Sequence, residues 1–219
     1  MGAKERREEE RAYNREKRIS NILETAEKVL LQKGLNETTM SDISEESELS
    51  RSTLYRYFKD KDELIFAVEM KIFNTILARI EESMSSQSSG KNQLRKMADS
   101  LIEVYDTVPD HFRFMLAFDI YFSRKKAPVN YGEQYSAILE KIHHYWVQAF
   151  TAGQKDGSIR SDIDPNESIS MLSNTIFSLA QRNTLLLEQF RTTRKKDAKR
   201  MLEAVTNILL NSMMTNTSK

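Results

Sequence analysis

The sequence predicts an all-α fold in two parts, a short three-helix head and a longer helical body, and three observations carry that prediction. Apolar residues recur at spacings of three and four along most of the 219-residue chain, the period of a helix with one buried face. Proline and glycine are scarce, at 3 and 6 residues, so few positions are pre-set for the tight turns of a many-stranded sandwich or barrel. No stretch alternates apolar and polar residues as a half-buried strand does, and no internal repeat is visible.

Residues 1–17 mix charges of both signs, among them Lys4, Arg6, Arg7, Glu8, Glu9, Glu10 and Arg11, with almost nothing apolar. They read as a charged N-terminal arm, frayed or extended as a helix, whose Arg15, Lys17 and neighbouring Arg18 suit a polyanion backbone. The first amphipathic helix follows, with Ile19, Ile22, Leu23, Ala26, Val29 and Leu30 on one face and Gly34 as its helix-ending residue. Thr39 with Asp42 three residues on forms a capping box for a short second helix, which turns Met40 and Ile43 inward and ends near Glu48. Ser50 caps a short third helix carrying Leu54, Tyr55 and Phe58. Asp60 and Glu63 open a longer helix with Leu64, Ile65, Val68, Ile72, Ile76 and Ile80 inward.

Residues 85–90 form a polar loop, and residues 124–130 form a basic, proline-containing one. Helical periodicity marks residues 94–105, 110–122 and 131–152, followed by a turn at Asp156 and Gly157. Asp164, Pro165 and Glu167 then combine an N-cap, a proline at the first helical position and a capping acid, starting a helix to about residue 190. A last helix covers about residues 196–213. The domain reading is an arm over 1–17, a helix-turn-helix head over 18–64 and a helical body over 65–219.

Composition narrows the function. The formal net charge is +1, so overall charge selects no partner. The chain has no cysteine, which excludes a disulfide framework, a thiolate zinc site and a cysteine nucleophile. No apolar run reaches the roughly 18 residues of a membrane span, and the charged start does not read as a secretory signal, so a cytoplasmic protein without membrane contact is expected. A phosphate-cradling glycine loop and a nucleophile–histidine pair are both missing, which leaves an enzyme without a catalytic constellation. His143 and the adjacent His144 point to different helix faces, and neither they nor His111 have the spacing of metal ligands, so no metal or other cofactor is expected.

Two short capped helices about three residues apart are the helix-turn-helix arrangement, in which the second helix enters the major groove of DNA. That helix needs one apolar side and one donor-rich side. Leu54 and Phe58 supply the first; Arg51, Ser52, Thr53, Tyr55 and Arg56 supply the second. Arginine offers paired donors to guanine edges, and short hydroxyls reach bases or phosphates. Ser50 at the helix start and Lys61 on the next helix suit backbone phosphates. Residues 1–65 hold 13 Lys and Arg against 15 Asp and Glu, a net of −2, so positive charge must be local to Arg51, Arg56, Lys59 and Lys61.

The same window resembles the DNA-binding domain of the TetR family of bacterial regulators. The matching residues are Ile22, Ala26, Gly34, Thr38, Thr39, Asp42, Ile43 and Ser50, then the block Thr53-Leu54-Tyr55-Arg56-Tyr57-Phe58-Lys59-Asp60-Lys61-Asp62-Glu63-Leu64. The resemblance implies DNA contacts at Thr39, Arg51, Ser52, Thr53, Tyr55, Tyr57 and Lys61, a homodimer, and a helical C-terminal half that binds a small molecule. The family commonly has alanine, alanine and glycine where this chain has Ser44, Ser47 and Glu48, and another glycine at Ser52. A positive φ at Glu48 would cost on the order of 1 kcal/mol.

In the body, the aromatic-rich helices fit a packed core or a pocket equally well. Tyr105, Met115, Phe118, Tyr121 and Trp146 are the pocket candidates, with Asp119 the main charge among them, so a largely apolar effector is expected. Ile169, Leu172, Ile176, Leu179 and Asn183 form one stripe and Leu202, Val205 and Leu209 another. By resemblance these helices pair with their twins across a dimer interface; the stripes alone fit a monomer core as well. The resulting expectation is a homodimeric repressor, released from a double-stranded DNA operator by a small apolar effector. A ligand-dependent activator and an architectural DNA-binding protein remain alternatives.

Overall fold

The computed structural model describes residues 3–84, 88–125, 129–190 and 195–215. Among these the chain forms α1 (Ala3–Lys33), α2 (Met40–Glu46), α3 (Arg51–Tyr57), α4 (Lys61–Met84), α5 (Gly90–Thr107), α6 (Pro109–Ser123), α7 (Val129–Lys155), α8 (Pro165–Phe190) and α9 (Lys195–Met213). The fold is all-α, as expected. The loops read at 85–90 and 124–130 lie partly outside the described residues. An isolated antiparallel bridge between Ile159 and Met214 is the only strand-like pairing among the described residues.

The N-terminal arm takes the helical one of the forms open to it in the sequence. The charged arm continues the first helix without a break, so α1 is 31 residues long. Between Ala3 and Lys33 there is no glycine or proline, and alanine, glutamate, arginine and lysine, all strong helix formers, dominate residues 3–18. Gly34 ends the helix at φ +87°, a conformation that favours glycine.

The chain divides into two compact units. The first comprises residues 1–71 and 117–126. Its core joins Ile22, Ala26 and Leu30 of α1, Ile43 of α2, Leu54 of α3 and Leu64, Ile65 and Val68 of α4, each at most 1% exposed. Burying each of these larger side chains contributes roughly 1.5–3 kcal/mol. The returning segment adds Phe118, whose ring lies 6.4 Å from Phe66 and 4.8 Å from Phe122. The division at residue 71 falls inside α4, beyond the boundary drawn from the sequence at residue 64.

The second unit comprises residues 72–116 and 127–219. Its interior holds Ile72 and Ile76, Leu94 and Met97, Phe112 and Phe114, Trp146 and Phe150, Ile169 and Leu172, and Leu202. Two glycines allow its tightest approach. A Cβ on Gly90, the first residue of α5, would lie 2.0 Å from the Gly153 nitrogen of α7, and one on Gly153 would lie 2.4 Å from Ile159 Cδ1. Ser89 caps α5 by accepting from Asn92 N, and Asp156 accepts from Gly90 N at 2.8 Å, which moves the helix start four residues ahead of its expected position. No helix among the described residues is long and apolar enough to cross a membrane.

Candidate nucleic-acid interface

Local sequence chemistry builds the interface in the first unit. Thr39 caps α2 through a reciprocal box: its hydroxyl accepts from Asp42 N at 3.2 Å, and Asp42 accepts from Thr39 N at 2.8 Å. Lys33 donates to the same carboxylate at 2.8 Å. The Lys33 hydrogen bond, followed by that from Thr39 N, holds the Asp42 carboxyl down at about 2. The turn between α2 and α3 places Glu48 at φ +53°, the strained conformation anticipated for it. Ser44 and Ser47 reinforce this turn, donating to the carbonyls of Leu49 and Ile43 respectively.

Ser50 caps α3, accepting from Thr53 N at 3.2 Å, and its hydroxyl lies 3.0 Å from that of Ser52 and 2.8 Å from that of Thr53. Leu54 is fully buried and Phe58 nearly so, and they anchor the helix to the core. Thr39, Ser50, Arg51, Ser52, Tyr55 and Arg56 are exposed, and Thr53 and Tyr57 are half-buried. The Arg56 guanidinium stands over the Tyr57 ring at 5.6 Å from its centroid. An amphipathic helix with an outward set of guanidinium, hydroxyl and phenol groups results, which is the chemistry needed to read a groove of DNA.

Lys61 requires a correction. It was expected to meet a backbone phosphate, but its Nζ donates to the carbonyls of Leu35 at 2.8 Å, Asn36 at 2.8 Å and Thr38 at 2.7 Å. An ammonium group has three N–H donors, and all three are engaged. Lys61 therefore ties the α1–α2 connection to the start of α4. Partial burial, then the nearby Lys125, pulls its pKa down. Next to it, Tyr121 donates to Asp62 at 2.5 Å and accepts from Lys125 at 2.6 Å. Burial, then the bond to Asp62, raises the Tyr121 pKa.

One buried group of this unit had no signal in the sequence reading. Glu69 of α4 is fully buried, and neither of its carboxylate oxygens has a hydrogen-bond partner among the described residues. Burial above all, then the fields of Asp119 and Glu27, raises its pKa well above the ordinary value. An acid at an otherwise apolar helix position is visible in sequence, but its complete burial is not.

The five pocket candidates are all buried, but in different units. Tyr105, Met115 and Trp146 belong to the second, and Phe118 and Tyr121 to the first. Tyr105 packs edge-on against Phe112 at 5.7 Å, and its hydroxyl has no hydrogen-bond partner among the described residues; the same is true of the buried Thr206 hydroxyl. Asp119 is exposed, and His143 lies 3.3 Å from the Asn166 side chain.

The interface candidates also divide. Ile169, Leu172, Ile176, Asn183 and Leu202 are buried within the chain itself, Asn183 donating to the Ala198 carbonyl at 3.3 Å, and so offer a partner almost no surface. Leu179, Val205 and Leu209 are half-buried. Among the described residues, the large apolar side chains that α8 and α9 leave exposed are Met171 at 51%, Leu185 at 44%, Met201 at 52% and Ile208 at 68%. The stripes chosen from sequence were the core-facing sides of helices that also carry an apolar outer side.

Residues 22–68 match the sequence profile of bacterial regulatory proteins of the tetR family. The chain is 25% identical over 170 residues to YfiR, an uncharacterized HTH-type transcriptional regulator of Bacillus subtilis, covering 76% of this chain and 78% of YfiR. It is 24% identical over 161 residues to the HTH-type transcriptional repressor KstR2 of Rhodococcus jostii, covering 72% and 76% of the two chains. Its fold is shared with the transcriptional regulator FadR of Bacillus subtilis, solved in complex with stearoyl-CoA, at a TM-score of 0.69 and 17% identity over 89% of this chain and 98% of that one. The helix-turn-helix head, its profile match and relatives that align over 72–76% of the chain agree: residues 22–68 form a DNA-binding domain of the tetR family, and the chain is a DNA-binding transcriptional regulator.

Proposed function

We propose that the protein is a homodimeric repressor that holds a double-stranded operator through α3 and leaves it when a largely apolar effector enters the second unit. The observation that carries this reading is the outward face of α3, where Arg51, Ser52, Tyr55 and Arg56 are exposed on a helix anchored by buried Leu54. Arg51 and Tyr55 then read base edges, while Ser50, Thr53 and Thr39 serve the phosphates beside them. Twin chains meet through the apolar residues left outside on α8 and α9, above all Met171, Leu185, Met201 and Ile208.

Support for the effector comes from chemistry and from relatives. Tyr105 and Thr206 place buried, unpaired hydroxyls in an aromatic and aliphatic interior, the kind of polar group that orients an apolar ligand. The related FadR structure holds stearoyl-CoA, and KstR2 of Mycobacterium tuberculosis is a ketosteroid transcriptional regulator; both kinds of molecule carry a large hydrocarbon part, an acyl chain or a steroid nucleus. A cytoplasmic setting follows from the proposed task.

The test begins with selection of a preferred duplex from a random pool by the full chain. Arg51→Ala or Tyr55→Ala should weaken that duplex by about 1–3 kcal/mol while changing random DNA much less. Ile208→Glu should give monomers in sedimentation. A panel of long-chain acyl-CoA esters and steroids should contain a compound that releases the duplex and changes the fluorescence of Trp146, the one tryptophan. Absence of any preferred duplex would sink the operator assignment; a panel that leaves both binding and fluorescence untouched removes the apolar effector.

A further inference from the structure

The N-terminal half of α1 lies outside the 22–68 segment that carries the family match, yet it is helical and its charges are sorted. Arg7, Arg11, Asn14, Arg15 and Arg18 follow one another at steps of four, three, one and three, which places them along one side of the helix. Glu5, Glu9 and Glu16 fall on the opposite side. The net charge of −2 over residues 1–65 therefore conceals a local basic stripe.

The basic stripe leads directly to the reading helix. Arg11, Arg15 and Arg18 of α1 share a cleft of about 1020 Å³ with Asn14 and, from α3, Arg56 and Tyr57. The Arg15 guanidinium lies over one ring, that of Tyr57, at 5.9 Å, and Arg56 approaches the same ring at 5.6 Å. The aromatic ring thus gathers two cations from two helices without neutralising either. All four arginines of the stripe are exposed. From Arg7 to Arg18 the stripe is about 16 Å long at 1.5 Å per residue, the rise of about five base pairs.

We propose that this cleft and stripe are a second DNA-contacting surface, in which Arg7, Arg11, Arg15 and Arg18 track the phosphate backbone next to the groove entered by α3. The inference rests on the operator reading above, since α3 must be at the DNA for Arg56 and Tyr57 to be there. The contacts are electrostatic and carry no sequence information of their own. They supply the non-specific affinity that the charge balance of the head as a whole does not.

The test uses the full chain and the duplex it selects from a random pool. Arg7→Gln, Arg11→Gln and Arg15→Gln are combined, since glutamine keeps helix propensity, and helix content is checked by circular dichroism. Arg6→Gln removes a charge from outside the stripe and serves as the control. The triple variant should keep its sequence preference. Its slope of log K against log salt should flatten by about one unit per arginine and subunit, and hydroxyl-radical protection should vanish at backbone positions distinct from those lost in Arg51→Ala. Lysine at the same three positions should restore the slope, even if the glutamine variant loses helix. Wild-type slope and protection in the triple variant, or a change per charge equal to that of Arg6→Gln, would overturn the second surface while leaving α3 as reader. A full chain that selects no duplex at all would overturn both.

Discussion

The two units of this protein are held by different kinds of contact. In the first, the short helices α2 and α3 are defined by bonds that span three to five residues: the Thr39–Asp42 box, the Ser50 cap and the Ser44 bond to Leu49. In the second, decisive contacts join residues far apart in the chain. Asp156 accepts from Gly90, Arg95 donates to Asn207 and Asn211, and Lys199 pairs with Asp106. A head that must present the same donors to DNA is built from locally specified turns, whereas the body's packing is specified by pairs that a local window never contains together.

The largest expected effect tests the distant contacts. Gly90→Ala places a methyl group against the backbone of Gly153, which cannot rotate away, and should destabilise the protein by about 3 kcal/mol in thermal or urea unfolding. An unchanged midpoint would mean that α5 and α7 separate easily there.

Lys61→Met asks whether the head, too, depends on one distant tie. Loss of three donors to the carbonyls of Leu35, Asn36 and Thr38 should destabilise by about 2 kcal/mol, with the salt slope of DNA binding unchanged in the folded protein. A flattened slope with unchanged stability would return Lys61 to the phosphate role.

Glu69→Gln sharpens the comparison, because Glu69 is the buried acid of the head. Its pKa is raised on folding, so the folded state binds the proton more tightly than the unfolded chain does. Stability is then fully present below the ordinary carboxyl value of 4.5 and declines as pH rises toward the folded pKa. The glutamine variant should flatten this decline and gain about 1–2 kcal/mol near neutrality, read from unfolding midpoints across pH. A wild type whose stability rises over that range would show the carboxylate to be well solvated.

The smallest effect is local. Glu48→Gly should relieve the positive φ and stabilise the α2–α3 turn by about 1 kcal/mol, with unchanged duplex preference. Destabilisation instead would mean that the added freedom of glycine in the unfolded chain outweighs the strain.

How far the sequence was legible follows from the same contrast. The caps at Thr39, Ser50 and Asp164 and the helix end at Gly34 could be read directly, because each is a local competition between side chain and backbone. The donor set on α3 was legible for the same reason, as was the strain at Glu48. Lys61 was misread because its partners lie 23 to 26 residues earlier in the chain. The stripes on α8 and α9 fitted a monomer core and a dimer interface equally well in the sequence, because both helices are apolar on more than one side and periodicity does not say which side meets the chain's own core.

By itself, then, the sequence determined the helices, their caps and the chemistry offered by α3, since these depend on residues within one or two turns of each other. Only the tertiary structure decided that Lys61 ties a loop and that Glu69 is cut off from water. It also divided Tyr105 from Tyr121 between two units and placed the α1 arginines beside Arg56 and Tyr57. Each of these depends on which surfaces meet, and that is settled by packing of the whole chain, where burial changes the energy of a charge or hydroxyl far more than its neighbours in sequence do.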